Sequence, residues 1–271
     1  MNGASREALA AARERLDALT DSTSVDAGSL ADELAAVTAL LDREVSLRRV
    51  LTDPAQDGAG KAQLAERLLG GQVGGQTVDL VSGMVRSRWS QSRDLADALE
   101  ELANIADLTA AQQAGALDNV EDELFRFGRI VSSSTELRAA LTGRKAVGNA
   151  KTELLHRLLD RRADATTERL VTRLVTAPRG RSLEAGLESL SKLAAERRDR
   201  TVAVVTSAEP LSDSQKQRLG AALAKLYGRP MHLNLDVDPE VVGGLRVQVG
   251  DEVINGSVAD RIEDAARRLA S

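Results

Sequence analysis

The sequence predicts a mainly α-helical protein: an N-terminal helical bundle in two tandem copies, followed by a small α/β domain of order β-α-β-β-β-α. Three observations carry this expectation. Up to about residue 200, apolar side chains recur at helical spacing in segment after segment. The same region matches itself at an offset of 90 residues. After Arg197-Arg198-Asp199-Arg200 the pattern changes to strict alternation. Composition agrees, because aromatics make up only 1% and the 42% apolar content comes from Ala, Leu and Val, the first two being strong helix formers.

The first helix with a clear stripe spans Ser29 to Val50, with Leu30, Leu34, Val37, Leu40, Leu41 and Val45 on one side, Ser29 as N-cap and Asp32 near the positive end of the dipole. Helices follow at Lys61–Leu69, Thr77–Trp89, Arg93–Leu108 and Asp118–Val131, separated by Gly70–Gly75 and Ser132–Ser134. The self-match lays Leu47-Arg48-Arg49-Val50-Leu51-Thr52 over Leu137-Arg138-Ala139-Ala140-Leu141-Thr142. At the same offset Glu33-Leu34 meets Glu123-Leu124, Lys61 meets Lys151, Leu68-Leu69 meets Leu158-Leu159, and Leu80-Val81 meets Leu170-Val171. Charged and polar matches among the leucines favour duplication over coincidence. The predicted organisation is residues 1–108 as copy one, 92–200 as copy two, and 201–271 as the α/β domain, with 92–108 shared by both copies.

In the tail, Val202-Ala203-Val204-Val205 reads as a strand. Ser212 and Gln215 form a capping box for a helix with Leu219, Leu223 and Leu226 on one face. Met231, Leu233, Leu235 and Val237 alternate, as do Leu245, Val247 and Val249. Gly250-Asp251 suggests a hairpin turn into Val253-Ile254, and Gly256-Ser257 opens a last helix with Val258, Ile262, Ala265 and Leu269 inward.

The stretch from Met231 to Gly250 resembles the signature of the F-type ATP synthase delta family, whose mitochondrial counterpart is the oligomycin sensitivity-conferring protein. Its apolar positions fall on Met231, Leu233, Val237, Val241, Leu245 and Val247. Its polar positions fall on Asp238 and Gln248, and its glycines on Gly243, Gly244 and Gly250. Asn255 stands where the family usually has Asp. The residues have a structural logic: alternate apolar positions pin a sheet register, and Gly243-Gly244 permits a bulge or close backbone approach.

The resemblance implies a non-catalytic stator subunit, one copy per complex, at the cytoplasmic face of the bacterial cell membrane. In such a subunit the helical domain receives the N-terminal helix of an alpha subunit of the catalytic head, in a groove between its first and fifth helices. The C-terminal domain meets the b-type peripheral stalk. In copy two the groove is expected near Ser92–Leu108 and Arg181–Glu196. Copy two is the expected docking site because it leads directly into the tail, whereas the family usually has one helical domain. The competing reading is a helical-repeat protein-binding scaffold unrelated to ATP synthase.

Other chemistry finds little purchase. No cysteine is present, which excludes disulfides and thiolate sites. No apolar run approaches the ~20 residues of a membrane span, and residues 1–19 have no apolar signal core, so direct membrane insertion is not expected. Gly58-Ala59-Gly60-Lys61 fails the phosphate-loop pattern, with Ala55 and Ala62 at two required positions. Gly70–Gly75 lacks the strand a dinucleotide loop needs. His156 and His232 stand far apart with no partner at ligand spacing, so neither metal nor cofactor is expected. No nucleophile, base and orienter can be assembled. Arg157–Arg162 and Arg197–Arg200 are basic, but the net charge of −5 and scarce aromatics favour solvated helix faces over nucleic acid. Trp89, the sole tryptophan, reads as a core filler.

Overall fold

Helical spacing and alternation resolve into two compact units, Met1–Ala194 and Ala195–Ser271. The computed structural model describes residues 1–20, 25–143, 148–199, 202–227, 231–238, 244–249 and 252–255. Unit one holds α1 (Gly3–Thr20), α2 (Ala27–Arg43), α3 (Val45–Thr52), α4 (Gly58–Leu69), α5 (Gly75–Arg86), α6 (Ser92–Gln113), α7 (Leu117–Ser133), α8 (Thr135–Thr142), α9 (Gly148–Leu159) and α10 (Ala165–Thr176). The next helix, α11 (Leu183–Asp199), runs past its end.

The Ser29–Val50 stripe is not one helix. The chain breaks at Glu44, whose φ of −99° and ψ of 74° leave the helical region, and α3 starts at once in a new direction. The bend buries Leu51 and leaves Val45 and Val50 outside. Arg48 Nη1 donates to the freed Leu41 carbonyl at 3.2 Å, replacing a bond lost at the break. The N-cap is Asp26 rather than Ser29, and Asp32 therefore lies beyond the first turn. Asp26 Oδ1 accepts from Gly28 N at 2.9 Å and Ser29 N at 3.3 Å, while Ser29 Oγ donates to Asp26 Oδ2. Those bonds hold the Asp26 carboxyl below its ordinary value of 3.8. Because its folded-state value is depressed, the contribution is present above the unfolded value and is lost as pH falls through the folded one. Asp26→Ala should cost about 1 kcal/mol in thermal or urea melts near neutral pH. Ser29→Ala, which leaves the carboxylate cap in place, should cost much less.

Helices α2 to α5 and α7 to α10 begin and end at positions 90 residues apart. Details follow the same offset. Glu33 accepts from Gly74 N at 2.9 Å and from the Thr77 hydroxyl, holding the start of α5. Glu123 accepts from Asp164 N at 2.9 Å and Thr167 Oγ1 at 2.6 Å, holding the start of α10. Gln72 and Val73 N donate to Leu69 O, and Arg162 and Ala163 N donate to Leu159 O. The residue in the left-handed region is Gly71 in the first turn (φ 73°) and Arg161 in the second (φ 54°).

Between these two sets runs α6, which packs against α1, α2 and α3 on one side and α7 and α10 on the other. Leu95, Leu99, Leu102 and Leu108 have no exposed surface, and most of the other α6 side chains are buried. Trp89 lies past the end of α5, not on it, and fills the core with Nε1 donating to Met84 O at 2.8 Å.

Unit two contains β1 (Val202–Ser207), α12 (Asp213–Tyr227), β2 (His232–Val237), β3 (Leu245–Val249) and β4 (Glu252–Asn255). The sheet order is β2-β1-β3-β4, with β1 and β2 parallel and the other pairs antiparallel. Ala203, Val205, Val247, Val249 and Leu223 form its core. The capping box of α12 is present: Ser212 N donates to Gln215 Oε1 at 2.8 Å and Gln215 N to Ser212 Oγ at 3.4 Å. The expected turn at Gly250-Asp251 and the last helix, with Gly256, Ser257, Val258, Ile262, Ala265 and Leu269, lie outside the described residues.

Candidate docking surface on the helical unit

An open cleft of about 400 Å³ separates α1 from α5. Ala8, Ala11 and Ala12 form one wall, Leu80, Gly83 and Met84 the other, and Glu14, Arg15 and Ser87 the rim. Small residues on both helices leave room for a third backbone. Gly83 sits inside a helix, where glycine costs about 1 kcal/mol relative to alanine, and an added Cβ there would meet nothing within 4 Å. Among the described residues, none fills the space beside Gly83.

Ninety residues later the corresponding space is occupied. Arg173, at the position equivalent to Gly83, donates from Nη1 to Asn104 Oδ1 at 2.7 Å and from Nη2 to Asp107 Oδ2 at 2.8 Å. Arg169 meets Asp107 Oδ1 at 2.7 Å. Only about 10 Å³ remains beside Arg173, between α6, α10 and α11. Asp107 is fully buried, and this burial pushes its carboxyl above the ordinary value although both arginines pull it down.

The groove expected between Ser92–Leu108 and Arg181–Glu196 is a different feature. Counted from α6, the fifth helix is α10, and Arg181–Glu196 falls on the sixth, α11, and the turn before it. A cleft of about 220 Å³ does lie there, lined mainly by Asp97, Glu100, Glu101, Asn104, Arg179 and Arg181. Its walls are charged and already paired, with Arg181 on Glu100 at 2.6 Å and Arg13 on Glu101 at 2.5 Å. Met1 and Leu193 are the only large apolar side chains in its lining, so an apolar helix stripe would bury mostly against paired charge there.

The signature residues lie at the sheet. Leu233 and Val237 on β2 share a face with Leu245 and Val247 on β3, through Ala203, Val205 and Ser207 of the strand between them. Val247 is buried, Leu233, Leu245 and Met231 pack at the core's edge, and Val237 is exposed. Gln248 is exposed on the opposite face. Asp238 N donates to Ser207 O at 2.9 Å, and Gly244 has a φ of 85°, which favours glycine. Val241, Gly243 and Gly250 lie outside the described residues.

Among the described residues no three His, Cys, Asp or Glu side chains are placed to hold a metal ion, and no helix is long and apolar enough to cross a membrane. Gly58–Lys61 opens α4 under the Asp57 cap, with Lys61 buried. The side chain of His232 lies outside the described set. His156 is exposed on α9 and contacts Glu168 of α10 at 2.9 Å, which raises its value above 6.5. The stabilisation from this pair is full below the unfolded value of 6.5 and is lost as pH rises through the folded value. Glu168→Gln should move the His156 titration, followed by NMR, back down towards 6.5. Two expected solvated groups are buried: Arg197 of the second basic cluster, and the carboxylates Asp94, Glu100 and Asp107 on α6. A comparison of Gly83 with Arg173 at the repeat offset was the sequence signal for the open cleft.

Residues 106–269 match the family model described as ATP synthase delta (OSCP) subunit. The chain is 84% identical over 271 residues to "ATP synthase subunit delta" of Streptomyces coelicolor, covering 100% of this chain and 99% of that protein. It is 80% identical over 270 residues to the protein of the same name from Streptomyces avermitilis, covering 100% and 99%. With that of Thermobifida fusca it shares 48% identity over 270 residues, covering all of both. A chain of the Toxoplasma gondii mitochondrial ATP synthase hexamer is 21% identical, with 62% of this chain and 95% of that one covered and a TM-score of 0.34.

Proposed function

Because the chain belongs to the ATP synthase delta (OSCP) subunit family, we propose that it is a non-catalytic peripheral-stalk subunit of a bacterial F-type ATP synthase, tying the catalytic head to the b-type stalk while the rotor turns. The observation that carries this reading is likeness along the whole length, helical region and tail alike, to subunits of that name. On this reading the chain works at the cytoplasmic face of the membrane, as one copy per complex, without a catalytic site of its own.

The helical unit takes an amphipathic N-terminal helix of an alpha subunit, and the sheet unit meets the end of the stalk helices. The two helical sets are tandem copies sharing α6; the matching helix bounds and the paired Glu33 and Glu123 bonds support this. The alpha helix docks in copy one rather than in copy two. The open, alanine-lined α1–α5 cleft supports that choice, as does Arg173 in the equivalent space of copy two. Helix-in-groove docking needs apolar anchors at i, i+3 and i+4 and walls that allow close approach, which Ala8, Ala12 and Gly83 give. Gripping head and stalk with separate units raises the overall affinity through effective concentration.

Calorimetric titration with the N-terminal helix peptide of the same organism's alpha subunit tests the reading. Saturation at one peptide per chain is expected. Absence of binding to both the peptide and the intact head would reject it.

A further inference from the structure

The turn between α10 and α11 reaches back to the first helical set. Arg179 has a φ of 52° and is followed by Gly180 at 80°, so two consecutive residues in the left-handed region aim its side chain inward. The Arg179 side chain is only 6% exposed. Its guanidinium donates from Nη1 to Ala96 O and Asp97 Oδ1 of α6, both at 2.9 Å. From Nε it donates to Asp42 Oδ2 of α2 at 2.8 Å, across 137 residues of chain. Arg93 of α6 donates to the Arg179 carbonyl, and Arg181 clasps Glu100 of α6 through both carboxylate oxygens at 2.6 Å. Asp42 is also approached by Arg48 at 3.6 Å, and it stands in the last turn of α2, where cations are favoured.

Ninety residues earlier the equivalent position holds Trp89, which turns into the core of its own set. The two turns therefore do different jobs. One closes a core, and the other ties α2, α6 and the α10–α11 turn through a single planar fork that lysine cannot reproduce.

We propose that the α10–α11 turn is a strap that makes the two helical sets one lever, with Arg179 as its pin. Load entering at one set passes to the other without α2 peeling from α6. This holds whatever the cleft binds, so the strap can fail its test while the docking reading stands.

The test uses the full chain, which has no native cysteine to interfere with labelling. Spin labels go on cysteines placed at the exposed, equivalent positions Gln63 of α4 and Glu153 of α9. Arg179→Ala should broaden the distance distribution between them. It should also speed amide exchange at 39–43 and 177–182 at least about tenfold, with the interiors of α4 and α9 unchanged. Arg179→Lys should behave like Arg179→Ala, because one ammonium cannot span Asp42, Ala96 and Asp97. Asp42→Asn is the second variant in case Arg179→Ala does not fold. It cuts only the α2 arm and should release 39–43 with little change in melting temperature. Exchange raised evenly over α1 to α10, or an unchanged distance distribution in both Arg179→Lys and Asp42→Asn, would overturn the proposal.

Discussion

Gly83→Arg should lower the affinity of this chain for its catalytic head by at least about 100-fold, the loss seen when a central interface anchor is removed. A Cβ at Gly83 meets nothing within 4 Å, so the variant keeps its fold and places the long side chain in the α1–α5 cleft. Arg173 already does this at the equivalent point of the second set, lying along α6 with Asn104 and Asp107. The effect on binding is therefore steric and separable from stability. Gly83→Ala gives the control. It should stabilise α5 by about 0.5–1 kcal/mol through helix propensity and weaken binding far less. Titrations of the three proteins with the intact head, alongside their melting curves, separate the two terms.

Leu99→Ala should destabilise the helical unit by about 3–5 kcal/mol. Leu99 is fully buried on α6, and α6 supplies wall to both helical sets. The cavity therefore opens in the continuous core that both helical sets share, and neighbouring helices held by Arg173 and Arg179 have little freedom to close it. Amide exchange should rise in α2 and α10 together. A comparable change on an outer helix, Leu155→Ala on α9, should loosen its own set first. If Leu99→Ala left the second set unaffected, α6 would not be the shared strut described above.

Much of this arrangement was legible in the sequence. The offset of 90 residues anticipated that α2–α5 and α7–α10 would share bounds, because apolar spacing sets helix length and phase. The reading of residues 92–108 as a helix shared by two copies stays a proposal, supported by the packing of α6 against α2 and α10. The tail's strands and capping box followed from alternation and from Ser212 with Gln215. The break at Glu44 was hidden because the apolar stripe continues across it, and only the tertiary gain of turning Leu51 inward separates α2 from α3. Asp26 was missed as a cap because Ser29 also suits that role.

The functional surface was harder to read for a physical reason. A docking cleft is made by what is missing, and Gly83 among helix formers looks like a small propensity penalty rather than an opening. The carboxylates of α6 and the arginines of the second set looked like solvated charge. Asp107 is covered by Arg169 and Arg173 of α10, and Glu100 and Arg179 by the α10–α11 turn folding back on α6, contacts across distant sequence that periodicity does not encode.

The most direct test of the stator role is ATP-driven proton pumping by membranes stripped of this subunit, measured before and after the purified chain is returned. Recovery of pumping at one chain per complex, with ATP hydrolysis by the head already intact beforehand, is the result expected of a tie between head and stalk. Pumping that is the same with and without the chain would contradict it.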